Sequence, residues 1–376
     1  MSAILLVFSP RNPVTWLRVD TAKILRLLNF RTIYLVGLRD DVPVDLPKEV
    51  TLFKIPLCRV LNASVNSFLL RIFVFMLEQL SVALLVLKLS RKTNYVICSH
   101  CTMPLTMLLL RILKKNAITY AGGMSLPIHP GSIIARRMTS IMDDLCYKWS
   151  KGILAVSRSL LKMDPLLRKY VEKTYVAPCR FCDKAFFRKF NFSTPSRRKN
   201  IVGFVGRLSW EKGIMMFVKS IPHIASRRSD VSFLIVGDGP FKDQVLQEII
   251  ASKVQDRVVM IPWTNKVETY LKKMKLLVLP SMFEGYGAVV VEAMACGTLV
   301  LVTPIPALAS LLEKGNTAFL LHSLNVKHLT QRVLEILERR DLDVVSTNAY
   351  RSLLDFCDEN QIVSAWKHAF EAISPM

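Results

Sequence analysis

The chain has 376 residues, of which 51% are hydrophobic, and it carries a formal net charge of +22 at pH 7. This length excludes a single ordinary hydrophobic core and favours two domains, and the apolar content is sufficient for two buried parallel sheets. The charge is confined to one half. Residues 1–199 hold 32 Lys and Arg against 11 Asp and Glu, whereas residues 200–376 hold 19 against 18. We therefore expect the first half to face an anionic partner.

The first apolar run, Met1–Phe8, is interpreted as a buried strand, because no basic region precedes it and no cleavage-like site of a secretory signal follows it. The longest apolar region, residues 68–89, is long enough to span a membrane. Arg71, Glu78 and Lys88 interrupt it, and such charges are costly in lipid. We interpret it as a helix packed on a sheet, with part of its surface available to a bilayer. We expect a cytoplasmic protein, at most peripheral on the inner face of the membrane.

Short apolar runs alternate with helical stretches along both halves, which predicts βαβ units and parallel sheets. The fold class is therefore α/β with two Rossmann-like domains. A polar linker at residues 193–200 marks the boundary, so we predict domains at residues 1–190 and 191–359. The predicted strands are Ala3–Phe8, Thr32–Gly37, Thr51–Pro56, Tyr95–His100, Ala117–Ala121, Gly152–Ser157, Tyr175–Pro178, Ile201–Val205, Phe233–Val236, Val258–Ile261, Leu276–Pro280 and Leu299–Thr303.

The basic half fits either a nucleic acid or an acidic membrane surface. No nucleic-acid motif accompanies the charge, and the apolar content is high, so we expect a membrane surface and no nucleic acid. Solubility alone is the other explanation for the charge. The expected membrane contacts are Arg91-Lys92, Lys114-Lys115, Arg136-Arg137, Arg168-Lys169 and Arg197-Arg198-Lys199.

The segment Ser281–Gly297 carries a glycine turn between two carboxylates and follows a buried-strand pattern. A helix entered through Gly285 and Gly287 exposes backbone N–H groups and the positive end of its dipole, which suits a phosphate. Glu284 and Glu292 can accept hydrogen bonds from sugar hydroxyls. The segment therefore offers sites for both halves of a sugar nucleotide.

Together with Gly203–Gly213 upstream, this segment resembles the donor-site signature of retaining glycosyltransferases of the GT-B fold, family 4 (glycosyl transferases group 1). Phe233–Pro240 and Val258–Trp263 lie between the two segments in the family's order. The resemblance implies two Rossmann-like domains that face a central cleft, with the acceptor side in the first domain and the donor side in the second. It also implies that a last helix, within residues 360–376, packs back on the first domain.

The resemblance implies that Arg207 and Lys212 hold the donor pyrophosphate, that Glu292 binds ribose hydroxyls and that Glu284 contacts the transferred sugar. Fixed cations and helix N–H groups make a metal unnecessary in principle. Two other readings stay open: Arg207 and Lys212 could be a solvated pair beside Glu211, and Glu284 could cap the helix. The expected nucleotide-sugar-binding residues are Arg207, Lys212, Gly285, Tyr286, Gly287, Ala288 and Glu292.

The implied enzyme is a hexosyltransferase that uses a UDP- or GDP-linked sugar as substrate, without cofactor or metal, and transfers it with retention to a glycan or lipid-linked acceptor. A nucleotide-sugar epimerase is an alternative, and it would need no acceptor. A non-catalytic, membrane-associated scaffold of the same fold is another. The sequence leaves the base, the sugar, the acceptor and the oligomeric state open.

The first half departs from the family pattern at three loops. Ser9–Pro13 stands where many members have glycines, Tyr120–Met124 stands where a His is often found, and Pro178–Asp183 replaces Pro-Asn-Gly-Val-Asp. These departures favour the scaffold reading modestly and leave the catalytic helper unassigned. His100, at a predicted strand end, is our candidate for that role, although a lone His is more often structural.

Two Cys-x-x-Cys pairs, Cys98/Cys101 and Cys179/Cys182, could form a tetrahedral zinc site if their strand ends meet. Their separation far exceeds the spacing of a zinc ribbon, so we expect reduced thiols and no metal. Asp341-Leu-Asp343 resembles the metal motif of the other glycosyltransferase fold. No buried strand precedes it, so we interpret it as a solvated helix end.

Overall fold

The computed structural model describes residues 3–8, 15–37, 50–54, 68–99, 103–122, 133–178, 180, 182–282, 284, 286–312 and 317–373. The chain divides into two compact units. The first unit is built from the described parts of Met1–Phe181 and Glu359–Met376, and the second from those of Cys182–Asp358. The chain thus returns to the first unit with its last helix.

A seven-stranded, wholly parallel sheet forms the centre of the described part of the first unit, in the order β3-β2-β1-β4-β5-β6-β7. Helices cover parallel sheets on both faces, which explains why the central strands are continuous apolar runs. The strands are β1 (Ala3–Phe8), β2 (Thr32–Gly37), β3 (Val50–Lys54), β4 (Tyr95–Ser99), β5 (Asn116–Ala121), β6 (Gly152–Ala155) and β7 (Thr174–Val176).

The apolar region at residues 68–89 forms a packed helix, α2 (Phe68–Ser90), as predicted. Val82 and Val86 on this helix are fully buried. None of the helices in the described residues is long and apolar enough to cross a membrane. The other helices of this unit's first segment are α1 (Thr15–Leu27), α3 (Pro104–Ile112), α4 (Ile133–Trp149), α5 (Arg158–Met163) and α6 (Pro165–Lys169).

The last helix, α15 (Glu359–Ile373), packs into the first unit through its apolar face. The Trp366 ring is fully buried and stacks on Tyr120, with centroids 5.8 Å apart. The Trp366 indole N–H donates to the carbonyl oxygen of Pro178 at 2.7 Å, so the buried ring keeps its hydrogen bond. Aromatic packing and the Trp366 hydrogen bond therefore help to attach the last helix to this unit.

The second unit contains a six-stranded parallel sheet within the described residues, in the order β10-β9-β8-β11-β12-β13. The prediction of two Rossmann-like parallel sheets is confirmed. The strands are β8 (Ile201–Val205), β9 (Ser232–Val236), β10 (Val258–Ile261), β11 (Leu276–Leu279), β12 (Leu299–Val302) and β13 (Phe319–Leu320). The helices are α7 (Lys184–Phe190), α8 (Ile214–Ala225), α9 (Lys242–Ala251), α10 (Val267–Leu271), α11 (Ala288–Cys296), α12 (Ala309–Leu312), α13 (Val326–Glu338) and α14 (Leu342–Phe356).

The strand order of the second unit reverses direction between β8 and β11. The chain runs outward from β8 through β9 to β10, and then returns to place β11 on the other side of β8. The loops after β8 and β11 therefore begin side by side at the carboxyl ends of these strands, and the chain then continues toward opposite edges of the sheet. In open α/β sheets such a switch point is where ligands bind.

Candidate functional site

The loop after β8 carries Arg207 and Lys212 and ends at a glycine. Arg207 is exposed and is separated from the strand by Gly206, and Lys212 ends a single turn of 3-10 helix, Trp210–Lys212. Gly213 then starts α8 with φ +68°, and a Cβ at this position would collide with the carbonyl oxygen of Pro280. Only glycine tolerates both this φ and this close approach, so the loop after β8 lies directly against the loop after β11.

The loop after β11 leads into α11 through Gly287. This glycine occupies the N-cap position with φ +72°, and a Cβ added to it would lie 3.0 Å from Ile305 Cδ1. Because glycine caps the helix without a side-chain hydrogen bond, a ligand can approach the N–H groups that precede Val290, whose own N–H donates to the carbonyl oxygen of Gly287 at 2.9 Å. Ala288 is the first helical residue, and Tyr286, just before the cap, is buried.

The two loops meet in an ion pair between Lys212 and Glu284. The Lys212 Nζ lies 2.6 Å from Glu284 Oε1, and the Ser281 hydroxyl donates to the same oxygen at 2.9 Å. The Glu284 side chain is only 8% exposed, against 24% for Lys212. A carboxylate so little exposed is costly unless it is paired, and these two donors meet that need. Sequence reasoning expected both residues at the site but did not predict that they bind each other.

Hydrogen bonds from the backbone and from small side chains hold this arrangement. The Met282 N–H donates to the carbonyl oxygen of Glu211 at 2.8 Å, which joins the two loops a second time. The Thr303 hydroxyl donates to the carbonyl oxygen of Ser281 at 2.7 Å. The Glu211 carboxylate accepts a hydrogen bond from the Ser209 hydroxyl at 2.6 Å. The carboxylate that pairs with Lys212 is that of Glu284 and not that of its neighbour Glu211. Sequence reasoning missed the positioning roles of Ser281 and Thr303.

The loop after β9 supports the same site from the other side. The Leu208 N–H donates to the carbonyl oxygen of Asp238, and the Phe241 N–H donates to that of Leu208, both at 2.9 Å. The Gly206 N–H donates to the carbonyl oxygen of Val236 at 3.0 Å. Backbone hydrogen bonds thus fix the segment that carries Arg207.

Glu292 lies one turn into α11, half-buried among apolar neighbours. Val290, Val291, Ala293 and Met294 around it are fully buried. A helix buried on most of its surface leaves Glu292 on the part that is still accessible. This position is compatible with the expected contact to ribose hydroxyls, which stays a prediction.

Two predicted site residues, His100 and Gly285, lie outside the described residues, as do Cys101 and Cys179 of the possible zinc site. Burial raises the pKa of the Cys98 thiol to about 12. The described part of the chain contains no group of three His, Cys, Asp or Glu side chains suited to a metal. Whether the two Cys-x-x-Cys pairs meet therefore stays untested.

Asp341 and Asp343 lie at the start of α14, which confirms their interpretation as a helix end. The Arg339 guanidinium pairs with Asp341 and holds the pKa of that carboxyl below its usual range. The Asp343 carboxylate accepts from the N–H and the hydroxyl of Ser196, at 2.9 and 2.5 Å. The Asp341 carboxylate is thus paired with a neighbour in sequence, whereas the Asp343 carboxylate joins α14 to a segment 147 residues away.

Comparison with known proteins places the candidate site within a segment that matches a known family. Residues 199–339 match the family described as Glycosyl transferases group 1, and this segment contains every described residue of the candidate site. The chain is 28% identical over 152 residues to the 2-deoxystreptamine glucosyltransferase of Streptomyces kanamyceticus, covering 40% of this chain and 39% of that protein. It is 28% identical over 156 residues to the phosphatidylinositol N-acetylglucosaminyltransferase GPI3 subunit of Saccharomyces cerevisiae, covering 40% and 34%. The chain thus spans about two fifths or less of these relatives' lengths.

Solved structures match the whole chain in fold. Anabaena Alr3699/HepE in complex with UDP superposes with a TM-score of 0.72 at 16% identity, covering 99% of this chain and all of that one. WaaG, a glycosyltransferase involved in lipopolysaccharide biosynthesis, superposes with a TM-score of 0.69 at 14% identity and covers both chains fully. The chain has the GT-B fold, and residues 199–339 match the glycosyl transferases group 1 family.

Proposed function

We propose that this protein is a glycosyltransferase that moves a sugar from a nucleotide-diphosphate sugar to a glycan acceptor. The observation that carries the proposal is the Lys212–Glu284 pair at the switch point between β8 and β11. A cation for the pyrophosphate and a carboxylate for the sugar lie together there, beside the start of α11. The position within the glycosyl transferases group 1 domain supports the same conclusion.

Charge compensation is the main task of such a site, because breaking the sugar–phosphate bond leaves a nucleoside diphosphate. Arg207 can contact two phosphate oxygens at once, and Lys212 can add a point charge. The N–H groups at the start of α11 supply fixed dipoles. With these three contributions the reaction needs no metal and no cofactor, so we expect activity to survive a chelator.

We propose more specifically that the protein is a retaining glycosyltransferase of family 4 that uses UDP- or GDP-linked donors. In retention by front-face attack, the bond from the anomeric carbon to the phosphate oxygen breaks and a bond to the acceptor oxygen forms on the same face. The leaving phosphate oxygen takes the acceptor's proton. Glu284 would orient the sugar and Glu292 the ribose through their hydroxyls. UDP is the first candidate, since UDP is bound in the Anabaena HepE structure.

We also propose that the acceptor is lipid-linked and that the protein acts at an anionic membrane as a peripheral, cytoplasmic enzyme. On α2, Met76, Leu80 and Leu84 follow one another every four residues and are 56, 49 and 58% exposed. The adjacent helix α3 exposes Ile112 beside Arg111. An exposed apolar stripe beside basic side chains fits insertion into an anionic lipid surface.

A transfer assay tests the proposal. The full-length protein is incubated with UDP- and GDP-linked hexoses, with and without lipid-linked glycan acceptors, and nucleotide release and the product linkage are measured. Acceptor-dependent release of one nucleoside diphosphate with a retained anomer supports it. Conversion of the donor to another nucleotide sugar without an acceptor would identify an epimerase instead. Nucleotide binding without turnover of any donor would favour the non-catalytic scaffold.

A further inference from the structure

Two buried thiols lie in contact at the two ends of the second unit. The Sγ atoms of Cys182 and Cys357 are 2.9 Å apart, although 175 residues separate them in sequence. The two residues are 8% and 4% exposed. Cys182 is the first residue of this unit and Cys357 its second-to-last, so the contact joins the points where the chain enters and leaves.

Each of the two cysteines lies at the end of a helix, which fixes its backbone. Cys182 directly precedes Asp183, whose carboxylate caps α7 by accepting from the Phe186 N–H at 2.8 Å. Cys357 is the C-cap of α14. The Phe187 ring on α7 packs against the Tyr350 ring on α14, with centroids 5.8 Å apart. The two helix ends therefore hold the thiols close together.

We propose that Cys182 and Cys357 are a redox-modification site that forms an intramolecular disulfide under oxidising conditions. A disulfide bond is about 2.05 Å long, so the two sulfurs must approach by less than about 1 Å from their present separation. Oxidised glutathione is a sufficient oxidant. The thiolate of one cysteine attacks it and releases one reduced glutathione, and the second cysteine then displaces the other. The protein loses two protons and two electrons, and glutathione disulfide gains them.

The bond would covalently close nearly the whole second unit. Such a long loop loses much conformational freedom in the unfolded chain, so the oxidised protein should unfold at a higher temperature than the reduced one. The inference does not depend on nucleotide-sugar chemistry, because neither cysteine belongs to the candidate site.

Three other described cysteines have thiols whose burial disfavours the thiolate form. Burial raises the pKa of Cys98 and of Cys296 to about 12, and it raises that of Cys146 well above its usual value. Because the thiolate is the attacking species, these groups react slowly near neutral pH. They also provide matched control positions.

The test uses the full-length protein in glutathione buffers, in two preparations that are both brought to equilibrium. One preparation starts from the reduced native protein, and the other starts from protein that is unfolded in urea and refolded in the same buffer. Thiols are alkylated, the protein is digested without reduction, and peptides are identified by mass spectrometry. We expect a Cys182–Cys357 cross-link in both preparations and a higher unfolding midpoint after oxidation. A Cys296→Ser control should keep both effects, and the Cys182→Ser/Cys357→Ser double variant should lose both. The proposal would be overturned if both thiols were alkylated in both preparations in a buffer rich in oxidised glutathione. It would also be overturned by a cross-link from Cys182 to a different cysteine.

Discussion

The ammonium nitrogen of Lys212 lies 2.6 Å from Glu284 Oε1, across the switch point of the second sheet. In the proposed mechanism these two groups serve different halves of the donor. Lys212 must therefore exchange at least part of its contact with the carboxylate for the pyrophosphate when the donor binds. Glu284 is then free to contact the sugar hydroxyls, while it keeps its hydrogen bond from the Ser281 hydroxyl. On this proposal, the pair couples recognition of the diphosphate to recognition of the sugar.

Replacing Glu284 with Gln should separate these two roles. The neutral amide no longer competes for Lys212, so we expect UDP alone to bind about 3- to 10-fold more tightly. Sugar transfer should fall by about 10- to 100-fold, because a charged hydrogen-bond acceptor for the sugar is lost. Titration calorimetry and turnover assays measure the two effects. Weaker UDP binding in Glu284→Gln would show that the carboxylate does not compete with the diphosphate for Lys212.

Replacing Lys212 with Met should weaken binding of the nucleoside diphosphate by about 10- to 100-fold, since one charged contact to phosphate is lost. It should also lower the free energy of unfolding by about 1–3 kcal/mol, because Glu284 keeps a little-exposed charge without its cation. Lys219→Met, at an exposed position on α8, is the matched control and should change neither quantity. An equal loss of UDP affinity in both variants would argue for a general charge effect.

Gly213→Ala should disrupt the site without touching a charged residue. The added Cβ collides with the Pro280 carbonyl oxygen at a backbone φ of +68°, so the loops after β8 and β11 must separate. We expect a loss of about 1–3 kcal/mol in the free energy of unfolding, together with weaker UDP binding. Thermal unfolding and calorimetry check both. Wild-type UDP affinity in a stably folded Gly213→Ala protein would mean that the close approach of the loops is not needed.

The sequence predicted most of the sheet architecture because buried parallel strands are short apolar runs. β1 and β2 have the predicted bounds, and β11 ends one residue earlier than predicted. β13 was not predicted, since two residues, Phe319–Leu320, are too few to form a pattern. Periodicity identifies strands, but it carries no information about a contact between two distant loops.

The residues of the candidate site were accessible to sequence reasoning, and their contacts were not. The family resemblance identified Lys212, and the glycine turn between two carboxylates drew attention to Glu284. Their ion pair depends on the strand order, which places β8 beside β11 across 72 residues of chain. Ser281 and Thr303 have no charge or motif to distinguish them, because their roles consist of single hydrogen bonds.

Membrane association should depend on the exposed stripe of α2. We expect the wild-type protein to bind vesicles of acidic phospholipid, with binding that weakens as salt is raised. Leu80→Ser/Leu84→Ser should reduce that binding by about 10-fold or more, because two apolar side chains no longer insert. Vesicle co-sedimentation measures it.

The control for this prediction is Leu246→Ser/Ile250→Ser, which changes two side chains of α9 in the second unit that are 40% and 60% exposed with the same spacing. The control should bind vesicles as the wild type does. Equal binding of the wild type to neutral and acidic vesicles would refute the proposed role of the basic charge.

The most direct test of the central claim is calorimetric titration of the wild type and Glu292→Ala with UDP and with GDP. The account predicts that one nucleotide binds the wild type and that the substitution weakens that binding by about 10-fold or more, since two ribose hydrogen bonds to a carboxylate are lost. Glu338→Ala, at an exposed position ending α13, should bind as the wild type does. Binding of neither nucleotide, or equal affinity in Glu292→Ala and the wild type, would contradict a nucleotide-sugar site at the start of α11.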